Sequence, residues 1–165
     1  MKKTIRTSVL CLICCLTTGI FVEAKAQQGF DKASFYKVME NGKIDAVEAQ
    51  LKITVAATGI NNDAYTGALL MKKAGLVKGP ANKLGVFKNG RNKLEGAITA
   101  DAGNIEWHFL RLIIQEHAPK ILGYRDDIKK DAELVHINFK KLPPELQAAV
   151  LDYRKQSDTL QPLNF

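Results

Sequence analysis

One stretch of the chain is apolar around almost its whole helical circumference. It reads Ile105-Glu106-Trp107-His108-Phe109-Leu110-Arg111-Leu112-Ile113-Ile114-Gln115-Glu116-His117-Ala118. At about 100° per residue, its large apolar side chains point in most directions, and a helix of this kind is usually buried between its neighbours. Pro119 follows and ends the helix. The stretch therefore predicts a helix enclosed by other helices.

Helical spacing of apolar residues recurs on both sides of this stretch, whereas no segment alternates apolar and polar residues convincingly, as a strand does. Capping and breaking residues divide the chain into about seven predicted helices, at residues 31–41, 44–58, 62–79, 80–101, 105–118, 126–139 and 143–156. Because the connections are short, we predict an all-α fold, either antiparallel helical hairpins or a helical bundle. A single domain is expected at residues 27–156, and a flexible C-terminal tail at residues 157–165.

Two of the predicted helices have a clear apolar face. The fourth is expected to bury Leu84, Phe87, Leu94, Ala97 and Ile98, and the second is expected to bury Val47, Leu51 and Val55. The fourth helix also contains Gly85, Gly90 and Gly96, and each of these costs about 1 kcal/mol relative to alanine in a helix. We therefore expect close helix–helix packing at the glycines, and at Gly67-Ala68 of the third helix.

The first 26 residues contain the three regions of an export signal in the expected order. Basic residues at positions 2, 3 and 6 precede an apolar run at residues 9–22, and Ala24-Lys25-Ala26 places small residues where a signal peptidase reads them. The run is shorter than the roughly 20 apolar residues of a membrane-spanning helix. We expect a cleaved signal peptide at residues 1–26, export to the periplasm or the extracellular medium, and no transmembrane segment after cleavage.

The composition of residues 27–165 argues against several functions. All three cysteines lie at positions 11–15, so the rest of the chain has no thiol for a disulfide, for thiolate chemistry or for a cysteine zinc site. Removing residues 1–26 takes away four basic residues and one acidic residue, which lowers the net charge from +7 to +4. A charge this small is not typical of nucleic-acid binding. Nucleophile-elbow, phosphate-loop and S-x-x-K motifs are missing, so no catalytic residue and no cofactor is predicted.

Four polar residues on or just before the apolar stretch lie on one narrow helical stripe. They are Asn104, His108, Arg111 and Gln115. In one interpretation they form a ligand-facing row, with Arg111 as a fork for a carboxylate or phosphate and His108 as a donor or base. In the other, which we favour, they face solvent or form an internal network that pairs Arg111 with an acid elsewhere. Tyr124 and Arg125, just beyond the helix, either rim a groove or, through the tyrosine, close the edge of the core.

Glu133 and His136 are two potential metal ligands that lie one helical turn apart. Di-iron bundles use this pair in two copies, together with two further carboxylates, whereas this sequence has one copy. No H-x-x-x-H or H-E-x-x-H motif occurs either. We predict no metal site.

Residues 72–93 contain seven basic side chains and no acidic one. The basic residues are Lys72, Lys73, Lys78, Lys83, Lys88, Arg91 and Lys93. A functional interpretation is a cationic surface for anionic lipid head groups, polyanions or an acidic partner. The simpler interpretation, which we favour, is a solvated exterior, because these charges do not fall along one helical face. Nucleic acid is not an expected partner, since Phe87 is the only aromatic in the stretch.

The residues that join the fourth and fifth predicted helices form a short turn. They read Lys93-Leu94-Glu95-Gly96-Ala97-Ile98-Thr99-Ala100-Asp101-Ala102-Gly103-Asn104-Ile105-Glu106-Trp107. This pattern resembles the junction between two tetratricopeptide repeats, with Leu94 and Ala97 at apolar and small positions and Asp101 and Asn104 in the turn. Ala102 stands where the family usually has proline, and one repeat of the 34-residue unit aligns. The resemblance implies stacked helical hairpins and a peptide- or protein-binding role. The overall layout is also similar to that of small exported bacterial proteins that have no assigned activity.

Three hypotheses about function follow from the sequence. The first is a non-enzymatic binding or scaffold protein of the cell envelope, whose partner is another envelope protein or a peptide. The second is a peripheral binder of anions or membrane surfaces through the basic stretch at residues 72–93. The third is a small-ligand enzyme or metal binder that uses His108, Arg111 and Gln115, or Glu133 and His136.

Overall fold

The computed structural model describes residues 30–56 and 60–165. In these residues there is no strand, and the regular structure consists of seven α-helices and two short 3-10 turns. The helices are α1 Lys32–Asn41, α2 Ile44–Ala56, α3 Ile60–Leu76, α4 Pro80–Ala100, α5 Ile105–His117, α6 Ile128–Asn138 and α7 Pro144–Arg154. The prediction of an all-α fold with about seven helices is confirmed. The expected signal peptide, residues 1–26, lies outside the described residues.

The apolar stretch forms the buried helix that its pattern predicts. Asn104 caps the start of α5 by accepting a hydrogen bond from the backbone N–H of Glu106 at 3.1 Å, as capping residues of this type do. Every residue from 106 to 115 is buried, because α5 packs against α3, α4, α6 and α7. The position of α5 between four other helices gives the domain its core.

α3 and α4 form the most extensive helix pair, and glycine makes their close approach possible. A methyl group on Gly67 would lie 2.7 Å from the Gly90 carbonyl oxygen, and one on Gly90 would lie 2.6 Å from the Gly67 carbonyl oxygen. Lys93 contacts Asp63 at one end of the pair, and Lys83 contacts the carbonyl of Gly75 at the other. The two helices are therefore antiparallel, and the backbones meet where neither carries a Cβ atom.

The predicted tight packing is confirmed at Gly67 and Gly90 but not at the other two glycines of α4. A Cβ atom on Gly85 or Gly96 would meet nothing within 4 Å. Both glycines are exposed, so the prediction of close packing is wrong for them.

Two predicted core positions face the solvent instead. Leu84 of α4 is 41% exposed, although Phe87, Leu94, Ala97 and Ile98 are buried as predicted. Val55 of α2 is 67% exposed, and Thr54 takes the buried position by bonding its hydroxyl back to the carbonyls of Gln50 and Leu51. In both helices the apolar stripe predicted from the sequence is longer than the surface that a neighbour covers.

Residues 157–165, for which the sequence predicts a flexible tail, pack onto the domain. The hydroxyl of Ser157 donates a hydrogen bond to Glu116 at 2.9 Å. Leu160 is fully buried. The ring of Phe165 lies 4.8 Å from the ring of Phe139, centroid to centroid. The segment contains few apolar residues, and each of them reaches the core without a regular helix to give a recognisable pattern.

A search of the helices in residues 30–56 and 60–165 finds none that is both long enough and apolar enough to cross a membrane.

The helix crossing at Gly90 gives the first prediction. We expect Gly90→Ala to destabilise the domain by about 1–3 kcal/mol, because its methyl group must push α3 and α4 apart. The matched control, Gly96→Ala in the same helix, should stabilise it by about 0.5–1 kcal/mol through lower backbone entropy in the unfolded chain. Urea denaturation followed by circular dichroism measures both. Equal effects of the two substitutions would contradict the tight crossing.

Candidate functional site

The polar residues of α5 that the sequence singles out lie inside the domain. His108, Arg111 and Gln115 are all buried, so the interpretation of a solvent-facing stripe is wrong. The interpretation of an internal network is confirmed for Arg111, whose partner is Asp131 of α6. The structure therefore places this row between helices rather than on a surface that a partner could contact.

Arg111 uses all three of its guanidinium nitrogens within this network. Its Nε and Nη2 atoms donate to the two carboxylate oxygens of Asp131, at 2.7 and 2.8 Å, and its Nη1 atom donates to Glu95 of α4 at 3.0 Å. Asp131 is itself fully buried. A guanidinium that already forms a two-pronged bond to one carboxylate cannot offer the same fork to a ligand. Arg111 instead joins α5 to α4 and α6.

His108 is held between two hydrogen-bond acceptors. Its Nδ1 atom lies 2.8 Å from Asp131 Oδ1, and its Nε2 atom lies 2.9 Å from the carbonyl oxygen of Ala102. Since neither partner can donate, both ring nitrogens must carry a proton, which makes His108 an imidazolium. The hydrogen bond to Asp131 accordingly raises the pKa of His108, against the opposing effect of burial. The bonds from Arg111 and His108 lower the pKa of Asp131, although burial acts in the opposite direction.

Tyr124 and Arg125 close the edge of the core. Tyr124 is buried and donates its hydroxyl to Glu95, the same carboxylate that Arg111 contacts. Arg125 donates to the backbone carbonyls of Glu116 and Ala118, at 3.1 and 3.2 Å, and so satisfies the C-terminal end of α5. Of the five predicted binding residues, Arg125 alone lines a surface cleft, a small one of about 210 Å³.

All four tyrosines of the chain donate their hydroxyl groups to glutamates. Tyr36 and Tyr65 both donate to Glu106, at 3.0 and 2.7 Å. Tyr124 donates to Glu95, and Tyr153 donates to Glu116 at 2.6 Å. Burial and the nearby carboxylate raise the pKa of each of these tyrosines well above its usual range. These bonds fix helices to one another across the domain, since every pair joins different elements.

A large apolar groove opens on another side of α5. It has a volume of about 1170 Å³ and lies among α1, the end of α3, the start of α4, the end of α5 and α7. Its buried lining includes Met39, Met71, Phe87, Ile113, Ile114 and Tyr153. Both methionines of the described chain are in this lining, and methionine adapts its shape to different apolar ligands.

The rim of the groove is apolar as well. Seven large apolar side chains are exposed in the described residues, and four of them line this groove. They are Leu76, Leu84, Ile121 and Leu151, of which Ile121 is 94% exposed. A contiguous exposed apolar surface of this kind is typical of binding sites. The groove is therefore the strongest candidate for a functional site in the part of the chain that the structure describes.

The predicted basic stretch does not form one surface. Lys73 pairs with Glu48 at 2.9 Å and Lys93 pairs with Asp63 at 2.7 Å, while the Arg91 guanidinium lies over the ring of Tyr124. Lys72 and Lys83 line the groove. Lys78 and Lys88 are exposed.

The residues that the structure describes contain no group of three or more His, Cys, Asp or Glu side chains that could hold a metal ion. Glu133 is exposed on α6. His136 is half-buried and packs against the ring of Phe165, with centroids 5.1 Å apart. The two potential ligands thus belong to different surroundings.

The groove is not predicted by any local sequence pattern, although one signal points to an uncovered apolar surface. Leu76, Ile121 and Leu151 belong to no predicted core face, and Leu84 is predicted to lie in the core. Apolar residues left over on several helices are a sign of an uncovered surface. Their convergence on one side of the domain depends on how the helices pack, and a single sequence does not give that arrangement.

The buried ion pair gives the second prediction. We expect Arg111→Met to destabilise the domain by about 3 kcal/mol or more, because it leaves the buried Asp131 carboxylate without its main partner. The control Lys93→Met breaks the exposed pair with Asp63, which should cost less than about 1 kcal/mol. Denaturant unfolding measures both variants. A cost below 1 kcal/mol for Arg111→Met would contradict the assignment of this network as a structural element.

The protonation of His108 gives the third prediction. Because its pKa is raised in the folded protein, the stabilisation is fully present below the unfolded pKa of about 6.5 and is lost as the pH rises through the folded pKa. His108→Gln removes this titration. The stability advantage of the wild type over His108→Gln should therefore be larger at about pH 5.5 than at about pH 9. Unfolding curves that differ by the same amount at both pH values would contradict a charged His108.

Comparisons with known proteins give no relative for this chain. No protein family, no curated protein and no solved structure matches it. The tetratricopeptide resemblance therefore stays a prediction, and the interpretation of the groove depends on its own geometry.

Proposed function

We propose that this protein is a non-enzymatic binding module of the cell envelope, and that its apolar groove receives a helical segment of another envelope protein or a peptide. The observation that carries this proposal is the groove itself, with four exposed apolar side chains along its rim. Export to the periplasm or beyond, as expected from residues 1–26, is part of the same proposal.

The dimensions of the groove favour a helix as its occupant. Pockets for small ligands typically measure about 300–1000 Å³ and enclose most of the ligand, whereas this groove of about 1170 Å³ is larger and open along one side. A helix with its side chains is about 10–12 Å across. An occupant of that width can contact rim residues on both α4 and α7, such as Leu84 and Leu151, together with the groove floor.

Binding of a helix in a groove is a common mode of peptide recognition. An amphipathic helix lays its apolar face into a groove between helices and is held by side chains at positions i, i+3, i+4 and i+7. The adaptable methionines Met39 and Met71 suit such an interface. The tetratricopeptide resemblance at residues 93–107, which implies a peptide- or protein-binding role, supports the same class of function.

The enzyme hypothesis would need its candidate residues to converge in one concave pocket. His108, Arg111 and Gln115 line neither the groove nor the small cleft beside it. The anion- or membrane-binding hypothesis keeps support only from Lys72 and Lys83, which lie at the groove, since the other basic residues of the stretch point elsewhere.

The fourth prediction tests the groove. We expect the immobilised protein to retain a near-stoichiometric partner from a native envelope extract at both low and moderate salt. Leu84→Glu and Leu151→Glu should each weaken this retention at least tenfold, because a charge would have to be buried in an apolar interface.

The control is Ile137→Glu, which places the same charge at an exposed apolar position of α6 outside the groove. This variant should retain the partner fully. Melting curves of all variants check that the fold is intact. Retention that survives Leu84→Glu and Leu151→Glu, or that disappears at moderate salt, would contradict binding in the groove.

A further inference from the structure

The two long walls of the groove carry different charges. On the wall formed by α3 and α4, the charged residues are Lys72 and Lys83, and the sequence between positions 72 and 93 contains no Asp or Glu. The opposite wall, formed by α7, carries Glu145, Asp152 and Lys155, and the last two pair with each other at 2.6 Å. α1 adds Lys37 and Glu40, whose charges cancel. The α3–α4 wall is thus basic, whereas the α7 wall has an acidic excess.

Lys72 and Lys83, which line the groove, differ in their contacts from the nearby lysines of the same helices. Lys73 and Lys93, which point away from the groove, each pair with a carboxylate. Lys72 and Lys83 have no carboxylate within 4 Å among the described residues. The Nζ atom of Lys72 lies 3.3 Å from the Glu40 carbonyl oxygen, and that of Lys83 lies 3.3 Å from the Gly75 carbonyl oxygen. Among the described residues, Lys72 and Lys83 are therefore groove cations without a paired carboxylate, and Lys37 of α1 is a third.

Lys72 has lost part of its contact with water as well. Its side chain is half-buried, and this desolvation lowers its pKa in spite of the nearby Glu40 charge. A partly desolvated ammonium gains more from a carboxylate than an exposed one does, because the surrounding dielectric constant is lower.

Building on the groove function proposed above, we infer that the partner is an amphipathic helix with acidic side chains along the edge that faces Lys72 and Lys83. The apolar face of this helix covers the groove floor and the rim leucines. Its acidic edge supplies the counter-charges that the two lysines lack. The opposite edge meets Glu145 and the Asp152–Lys155 pair, so that acidic residues are disfavoured there and one orientation of the helix is favoured.

The fifth prediction uses designed peptides as probes. Three helical peptides carry the same leucine stripe and differ only along one edge. That edge is lined with Glu in the first peptide, with Gln in the second and with Lys in the third. In a titration with the purified protein at low salt, the Glu peptide should bind roughly tenfold more tightly than the Gln peptide, and the Lys peptide should bind most weakly. These differences should shrink as the salt concentration rises.

Protein variants locate the effect. Lys83→Gln and Lys72→Gln should each reduce the preference for the Glu peptide, and Lys83→Glu should shift the preference toward the Lys peptide. The matched control is Lys93→Gln, which removes a lysine of the same helix that points away from the groove and should leave the preference unchanged. Because Lys83 is exposed, its variants keep the fold even if Lys72→Gln proves unstable.

The outcomes separate the charge inference from the groove function. Equal binding of all three peptides, abolished by Leu84→Glu, would overturn the acidic edge and leave the groove function in place. No binding of any peptide would overturn both. Displacement of the Glu peptide by a fatty acid or by anionic phospholipid vesicles would replace the helix with an acyl amphiphile. Self-association that Leu84→Glu abolishes would replace it with a second copy of this chain.

Discussion

The fold depends on one constraint, which is that a helix buried over ten consecutive residues also carries charged side chains. Burying a charge is costly unless it is paired, and α5 satisfies this condition by bonding to nearly every other element. Glu106 accepts bonds from Lys32 and Tyr36 of α1 and from Tyr65 of α3. Further along α5, Arg111 binds α4 and α6, and Glu116 binds α7 and the C-terminal segment. The polar groups of the central helix thus determine which elements surround it.

Much of this arrangement could be predicted from the sequence, because periodicity reports which face of a helix is apolar. The all-α class, the buried α5 and the close approach at Gly67 follow from such local patterns. Periodicity does not report what covers an apolar face. For that reason the sequence predicts Leu84 in the core although it lies at the rim of the groove, and it predicts a tail at residues 157–165 although Leu160 is buried.

The candidate site is the part that local patterns predict least well. A polar residue on an apolar helix is equally compatible with a ligand and with an internal partner, and the choice depends on a residue distant in sequence, here Asp131 for Arg111. The groove also depends on residues distant in sequence, since its lining comes from five helices and from the segment that follows α5. Tertiary packing brings these residues together, and no short segment contains the information.

The bonds from α5 also explain why the groove is preformed and why it is apolar. Two tyrosines, Tyr36 and Tyr153, lie in its lining, and their hydroxyl groups are already bonded to Glu106 and Glu116. An incoming partner therefore meets their rings rather than competing for their hydroxyl groups. The same bonds hold the α1 and α7 walls to α5 before a partner arrives, which lowers the ordering cost on the side of this protein. What remains for recognition is the shape of the apolar floor, to which the two tyrosine rings contribute, and the unequal charge of the groove walls.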